Sequence, residues 1–147
     1  MKVKIYEYSS IKTPKQTDGV GLYVLESEKD GKEITLSGGI RIEKASDKLS
    51  NLIVNHTAID RLTIKCTELE IYTDSAWIEA AFSAGWLEKW KKSGWKNAQG
   101  KDLAHAEHWK EIDRKLTELS LIPTFHVGEH HAYSGWLEAE AKRWMEK

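Results

Sequence analysis

Hydrophobic and polar residues alternate along several stretches of the chain, which is the pattern of strands that bury one face. Five segments are predicted to be strands on this ground: residues 3–8, 18–25, 33–42, 68–73 and 122–127. Asp30-Gly31, between the second and third segments, is typical of a tight hairpin turn. Pro123 lacks a backbone N–H, so the fifth strand is expected to lie at an edge of the sheet or to begin at this residue.

Apolar residues recur at every third or fourth position in the other segments, as they do on one face of a helix. The helical regions predicted in this way are 46–62, 75–90 with a break near Gly85, 103–119 and 134–145. Ser46 and Ser134 are of the residue type that caps helix N-termini. Three strands in succession, followed by strands joined through helices, predict an α/β fold with a mixed sheet.

The composition is that of one globular domain with no strong overall attraction to polyanions. The 147 residues suffice for a single core. The net charge is −1, so any attraction to nucleic acid must come from a local patch. Cys66 is the one cysteine, so no disulfide forms within the chain and a reducing, cytoplasmic location is expected. No apolar run approaches the ~20 residues that cross a bilayer, so no membrane association is expected.

The most specific pattern lies between residues 69 and 116. A β-branched and aromatic run ends in Thr73-Asp74-Ser75, and a helical segment leads from it to the cluster WLEKWKKSGWK at residues 86–96. A second helical segment then carries Trp109. In these features the chain closely resembles ribonuclease H type 1. The resemblance extends over the whole chain and is weaker before residue 60.

The resemblance implies a ribonuclease H-like fold in a single domain over residues 1–147. The expected sheet has five strands, three antiparallel and then two parallel, with helices on both faces. The tryptophan and lysine cluster, at about residues 86–101, corresponds to the basic protrusion that members of this family carry.

The resemblance also implies a metal site that this sequence retains only in part. The family holds two Mg²⁺ ions with four acidic residues, and two of these positions keep a carboxylate here, Asp74 and Glu138. Tyr8 and Val54 stand where the other two carboxylates are expected. Glu7 is adjacent to Tyr8, but strand alternation directs it to the opposite face of the sheet, outside the site.

These departures predict that cleavage of an RNA–DNA hybrid is absent or severely reduced. Two Mg²⁺ ions about 3.5–4 Å apart repel each other and need clustered anionic oxygens around them. Asp74 and Glu138 are expected to hold at best one Mg²⁺ or Mn²⁺ weakly, or the protein requires no cofactor. His130 matches a histidine that the family carries in the loop before its last helix, so it is the third candidate for a vestigial catalytic role.

The basic protrusion is the strongest candidate for a binding surface. Lysines attract phosphates without regard to sequence, and tryptophans can lie against bases or sugars. The candidate nucleic-acid-binding residues are Lys91, Lys92, Trp95, Lys96 and Lys101. For the tryptophans the favoured alternative is packing of the protrusion onto the domain, since large aromatic side chains mostly bury area. The leading hypothesis is a catalytically degenerate relative of ribonuclease H that binds an RNA–DNA hybrid or a duplex.

Two alternatives stay open. An active nuclease with a rearranged or one-metal site would need a third carboxylate beside Asp74, from Glu7 or Asp18, and His130 would move a proton near neutral pH. A protein-interaction or structural module would use the fold for assembly alone. The sequence leaves both a protein partner and the oligomeric state undetermined.

Overall fold

The computed structural model describes residues 1–146, which form one five-stranded sheet and five helices. The strands are β1 (Lys2–Ser9), β2 (Thr17–Lys29), β3 (Lys32–Ala45), β4 (Glu68–Thr73) and β5 (Thr124–Val127). The helices are α1 (Asp47–Ile59), α2 (Ala76–Ser83), α3 (Trp86–Lys92), α4 (Ala106–Glu118) and α5 (Ser134–Met145). The order of elements is the one that the hydrophobic pattern predicts. Within residues 1–146, no helix has the length and apolar character that crossing a bilayer requires.

The sheet has the strand order β3-β2-β1-β4-β5, with β1 at its centre. β1 and β3 are antiparallel to β2, whereas β4 is parallel to β1 and β5 is parallel to β4. The predicted arrangement of three antiparallel strands followed by two parallel ones is confirmed. β5 forms an edge of the sheet, which agrees with Pro123 directly before it. Because β1, β4 and β5 are parallel, their carboxyl ends meet at the same end of the sheet.

Helices cover both faces of the sheet, as predicted. α1, α2 and α4 pack on one face around Trp109, which is fully buried. α5 packs on the other face, over Tyr6, Val20 and Leu22. Strand alternation decides which layer each β1 residue joins, so Ile5 belongs to the α1 layer and Tyr6 to the α5 layer.

Two serines fix the entry into helices in different ways. Ser46 caps α1 as predicted, and its Oγ accepts a hydrogen bond from the N–H of Leu49 at 3.2 Å. Ser134 does not cap α5, because it is already the first residue of that helix. Its Oγ instead accepts from the N–H of His131 at 2.9 Å, which ties the preceding loop to the helix.

The tryptophan and lysine cluster forms α3 and the loop that follows it. Trp86, Trp90 and Trp95 are partly buried and pack against the core. The ring of Trp90 lies 5.4 Å from that of Trp109, measured between centroids. Packing of the tryptophans onto the domain is therefore confirmed, and the lysines of the cluster form its exposed surface.

Candidate metal and nucleic-acid site

A cavity of about 230 Å³ lies at the carboxyl ends of β1 and β4. β1 brings Tyr8 to it, and Asp74 follows the last residue of β4. The loop between β5 and α5 supplies His130, and the second turn of α5 supplies Glu138. Asp74 is far in sequence from His130 and Glu138, and the parallel pairing of β1, β4 and β5 brings the three to one cavity.

Asp74 is an exposed carboxylate that forms an ion pair with a lysine of the same chain. Its Oδ2 lies 3.7 Å from Nζ of Lys12, which comes from the loop between β1 and β2. Asp74 is not needed to cap α2, because Oγ of Ser75 accepts a hydrogen bond from the N–H of Ile78 at 3.2 Å.

The phenol of Tyr8 lines the cavity at a position where the family resemblance implies a carboxylate. Burial raises the pKa of Tyr8, and the charges of Glu138 and Asp74 raise it further, so the phenol is neutral near pH 7. Nζ of Lys12 lies 4.4 Å from the ring centroid, which is within cation–π distance. Tyr8 therefore adds a hydrogen-bonding group and a face for a cation, but no negative charge.

Glu7 lines the same cavity, which corrects the expectation that it lies outside the site. Alternation does direct Glu7 to the α1 face, away from Tyr8. Because the cavity opens where the strands end, side chains from both faces of β1 reach it.

Glu7 is also the acidic group whose environment the sequence did not predict. Its side chain is 4% exposed, and Oε2 accepts a hydrogen bond from Nδ2 of Asn55 at 2.9 Å. Burial raises the pKa of Glu7 to about 8, against the lowering effect of hydrogen bonds from Asn55 and Thr73. Burial therefore favours the protonated form of this carboxyl. The signal in the sequence was an acidic residue at an inward strand position and an asparagine on the apolar face of α1.

Two residues considered from the sequence lie away from the cavity. Val54 is fully buried and packs so closely against Gly21 of β2 that any side chain at position 21 would clash with it. Successive helix residues point about 100° apart, so Asn55 rather than Val54 faces Glu7. Asp18 accepts a hydrogen bond from the N–H of Lys44 at 2.9 Å, which ties β2 to β3. Asp18 therefore does not supply the third carboxylate that the active-nuclease alternative requires.

The two histidines of the loop before α5 have different environments. His130 is exposed and lines the cavity. The ring of His131 packs on Tyr6 with 4.6 Å between ring centroids, and its Nδ1 accepts from the N–H of Tyr133 at 3.1 Å. Burial lowers the pKa of His131. Both histidines line the cavity, and His130 is the more exposed of the two.

Glu129 also lines the cavity, with its Oε2 2.9 Å from Nδ1 of His126. Asp74 and Glu138 are the two predicted carboxylates that could hold a divalent cation here. Each has a lysine nearby: Lys12 at Asp74, and Lys142 with Nζ 4.0 Å from Oε1 of Glu138. Within residues 1–146, no three His, Cys, Asp or Glu side chains are grouped closely enough to form a ligand set. This donor set has fewer anionic oxygens than a pair of Mg²⁺ ions requires, so it does not fit the two-metal arrangement.

The lysines predicted to bind nucleic acid fall into two groups. Lys91 has Nζ 3.4 Å from Oδ1 of Asp113, and Lys96 pairs with Asp102. Lys92 and Lys101 are exposed, and among residues 1–146 neither has a carboxylate within 4.0 Å. Lys92 and Lys101 are therefore the predicted lysines whose charge is least compensated by the protein itself.

A mixed sheet of this strand order, with carboxylates gathered where β1 and β4 end, defines a ribonuclease H-like protein. The RNase H family model matches residues 2–139 of this chain. The chain therefore belongs to the RNase H family.

The relatives are bacterial proteins named ribonuclease H. The chain is 40% identical over 75 residues to that of Chlorobaculum parvum, a match that covers 51% of this chain and 49% of that protein. It is 29% identical over 138 residues to that of Legionella pneumophila strain Philadelphia 1, covering 94% of this chain and 89% of that protein. The match to the Chlorobaculum parvum protein thus spans about half of that relative's length.

Solved structures with the same fold include LC9-RNase H1, a type 1 RNase H with the type 2 active-site motif. Its TM-score is 0.73 at 17% identity, over 96% of this chain and 70% of that one. The solution structure of the PFV RNase H domain has a TM-score of 0.65 at 19% identity, over 96% of this chain and 88% of that one. At these identities the similarity establishes the fold.

Proposed function

We propose that this protein binds an RNA–DNA hybrid or duplex nucleic acid through the cavity and the basic protrusion, and that it cleaves a hybrid very slowly or not at all. Membership of the RNase H family supports the nucleic-acid partner. LC11-RNase H1, whose crystal structure is in complex with an RNA/DNA hybrid, shares the fold with a TM-score of 0.63 at 14% identity.

The proposal that cleavage is lost rests on the small negative charge of the cavity. Burial raises the pKa of Glu7 to about 8, which favours its uncharged form. Asp74 is paired with Lys12, Glu129 is paired with His126, and Tyr8 is neutral. Two Mg²⁺ ions that approach within ~4 Å of each other need several carboxylates to offset their repulsion. Glu138 on α5 and the two paired carboxylates, Asp74 and Glu129, supply too little negative charge for that.

The proposal that the protein binds nucleic acid rests on the lysines of the protrusion. Its tryptophans pack on the core and hold the lysine-bearing loop in place. Lys92 and Lys101 then present positive charge to solvent on a protein whose net charge is −1. Such a patch gives an affinity for phosphates that does not depend on base sequence and that weakens as salt is added.

Incubation of the protein with a labelled RNA–DNA hybrid in Mg²⁺, and then in Mn²⁺, is expected to give no more product than the Asp74→Asn variant gives. The reason is the shortage of anionic ligands for paired cations. Binding of the same hybrid is measured by fluorescence anisotropy at low salt. Product that forms with the wild type and disappears with Asp74→Asn would contradict the loss of cleavage. Absence of binding even at low salt would refute the nucleic-acid partner.

Changing Lys92 and Lys101 together to Ala is expected to weaken hybrid binding about 10-fold at low salt. The slope of log affinity against log salt should fall by about 2, because each lost phosphate contact removes ~0.9 from it. Anisotropy titrations at several salt concentrations measure both quantities. The matched control changes Lys29 and Lys32, at the hairpin between β2 and β3, to Ala. An unchanged slope in the protrusion variant would place the binding surface elsewhere.

A second candidate, an active nuclease with a rearranged site, is favoured by one observation: Glu7 lines the same cavity as Asp74. A divalent cation bound in the cavity would favour the ionised carboxylate and lower the pKa of Glu7. This candidate predicts hybrid cleavage by the wild type that Glu7→Gln and Asp74→Asn each abolish. Cleavage that survives in both variants would point to a contaminating nuclease.

A further inference from the structure

Lys12, on the loop that joins β1 to β2, contacts two residues that line the cavity. Its Nζ lies 3.7 Å from Oδ2 of Asp74 and 4.4 Å from the ring centroid of Tyr8. The two contacts belong to residues at the ends of two neighbouring strands, so the ammonium lies at the rim of the cavity between them. The side chain remains 56% exposed, which leaves it open to a ligand.

The loop that carries Lys12 is held in place by hydrogen bonds of the residues just before it and by the burial of Ile11. Ile11 is 2% exposed and belongs to the core. Its N–H donates to Oγ of Ser9 at 3.1 Å, and Oγ of Ser10 accepts from the N–H of Val20 at 2.9 Å. A lysine on an anchored loop loses less conformational freedom on binding a ligand than a lysine on a loose one.

An ammonium beside Asp74 changes what the cavity can bind. It offsets the charge of a carboxylate that would otherwise repel a phosphate. The same positive charge repels a divalent cation that approaches Asp74, and at ~5 Å in water this repulsion corresponds to roughly 10-fold in affinity. An ammonium has three N–H donors, and the pair with Asp74 leaves donors for a further anionic oxygen.

We infer that Lys12 takes the place of a divalent cation at Asp74 and holds a non-bridging phosphate oxygen of bound nucleic acid, so that phosphodiester binding at the cavity needs no metal. Tyr8, which stands where a metal-ligating carboxylate is expected, supports the ammonium with the face of its ring. The inference rests on the proposed function, because it names the group that the nucleic acid meets at the cavity.

The first test measures hybrid binding in EDTA by fluorescence anisotropy, for the wild type, Lys12→Met and Lys15→Met. Lys15 is an exposed lysine of the same loop, so it controls for the general effect of charge. Lys12→Met is expected to weaken binding about 5- to 10-fold and to reduce the salt slope by about 1, with little change for Lys15→Met. No loss for Lys12→Met, or equal losses for both variants, overturns the inference and leaves the proposed function standing.

The second test uses Mn²⁺ alone, without nucleic acid, so that it separates the inference from the proposed function. Isothermal titration is expected to show that Lys12→Met binds Mn²⁺ up to about 10-fold more tightly than the wild type, because a positive charge has left the site. Adding Asp74→Asn to Lys12→Met is expected to abolish that gain. An unchanged Mn²⁺ affinity in Lys12→Met overturns the claim that the ammonium replaces a cation, whatever the outcome of hybrid binding.

Discussion

Replacing Glu7 by Gln is expected to raise the free energy of unfolding near pH 8 by roughly 4 kcal/mol, and to change it little near pH 4. Burial raises the pKa of Glu7 from 4.5 to about 8 in the folded protein. Between these values the folded state keeps a proton that the unfolded chain releases. The stability that Glu7 contributes is therefore complete below the lower value and is lost as the pH rises through the higher one. Glutamine can accept the same hydrogen bond from Asn55 without ionising.

Urea unfolding of the wild type and of Glu7→Gln across this pH range measures the effect. Glu43→Gln is the matched control, since Glu43 is an exposed carboxylate on β3. The wild type and the control are expected to lose stability together as the pH rises, and Glu7→Gln to lose less. Parallel profiles for all three proteins would mean that Glu7 is ionised in the folded state, and that the cavity carries one more negative charge than we propose.

Replacing Tyr8 by Asp is expected to create a divalent-cation site in the cavity. Three carboxylates would then surround one position, with Asp74 and Glu138 already close enough to raise the pKa of Tyr8. Mn²⁺ at about 100 times its dissociation constant would raise the free energy of unfolding of the variant by about 2.7 kcal/mol. Without metal the variant should be less stable than the wild type, because carboxylates repel each other and Lys12 loses its ring partner.

Thermal unfolding with and without Mn²⁺ measures this gain, with Tyr8→Phe as the control. Phenylalanine keeps the ring under Lys12 but adds no carboxylate, so its melting temperature should respond to Mn²⁺ as the wild type does. If Tyr8→Asp and Tyr8→Phe respond alike, Tyr8 does not occupy a position from which a metal can be bound. The substitution of a phenol for a carboxylate would then not explain a loss of metal binding.

Much of the fold could be predicted because its signals are local. Alternation of apolar residues along β1 and β2, the turn at Asp30-Gly31 and the break at Gly85 each depend on a few neighbouring residues. The pairing of distant strands came from the resemblance carried by Thr73-Asp74-Ser75 and the tryptophan and lysine cluster. That resemblance also placed Asp74, Glu138 and His130 at one cavity, where the structure has them.

By itself, the sequence determined the order of strands and helices and the packing of Trp86, Trp90 and Trp95 against the core. The tertiary structure alone decided that Glu7 meets Asn55, 48 residues away, in a buried pair, that Val54 faces Gly21, and that Lys12 meets Asp74. The reason is physical: periodicity reports which face of an element is apolar. The pKa of a carboxyl and the partner of an ammonium depend on burial and on distances across the chain, which exist only once the elements have packed.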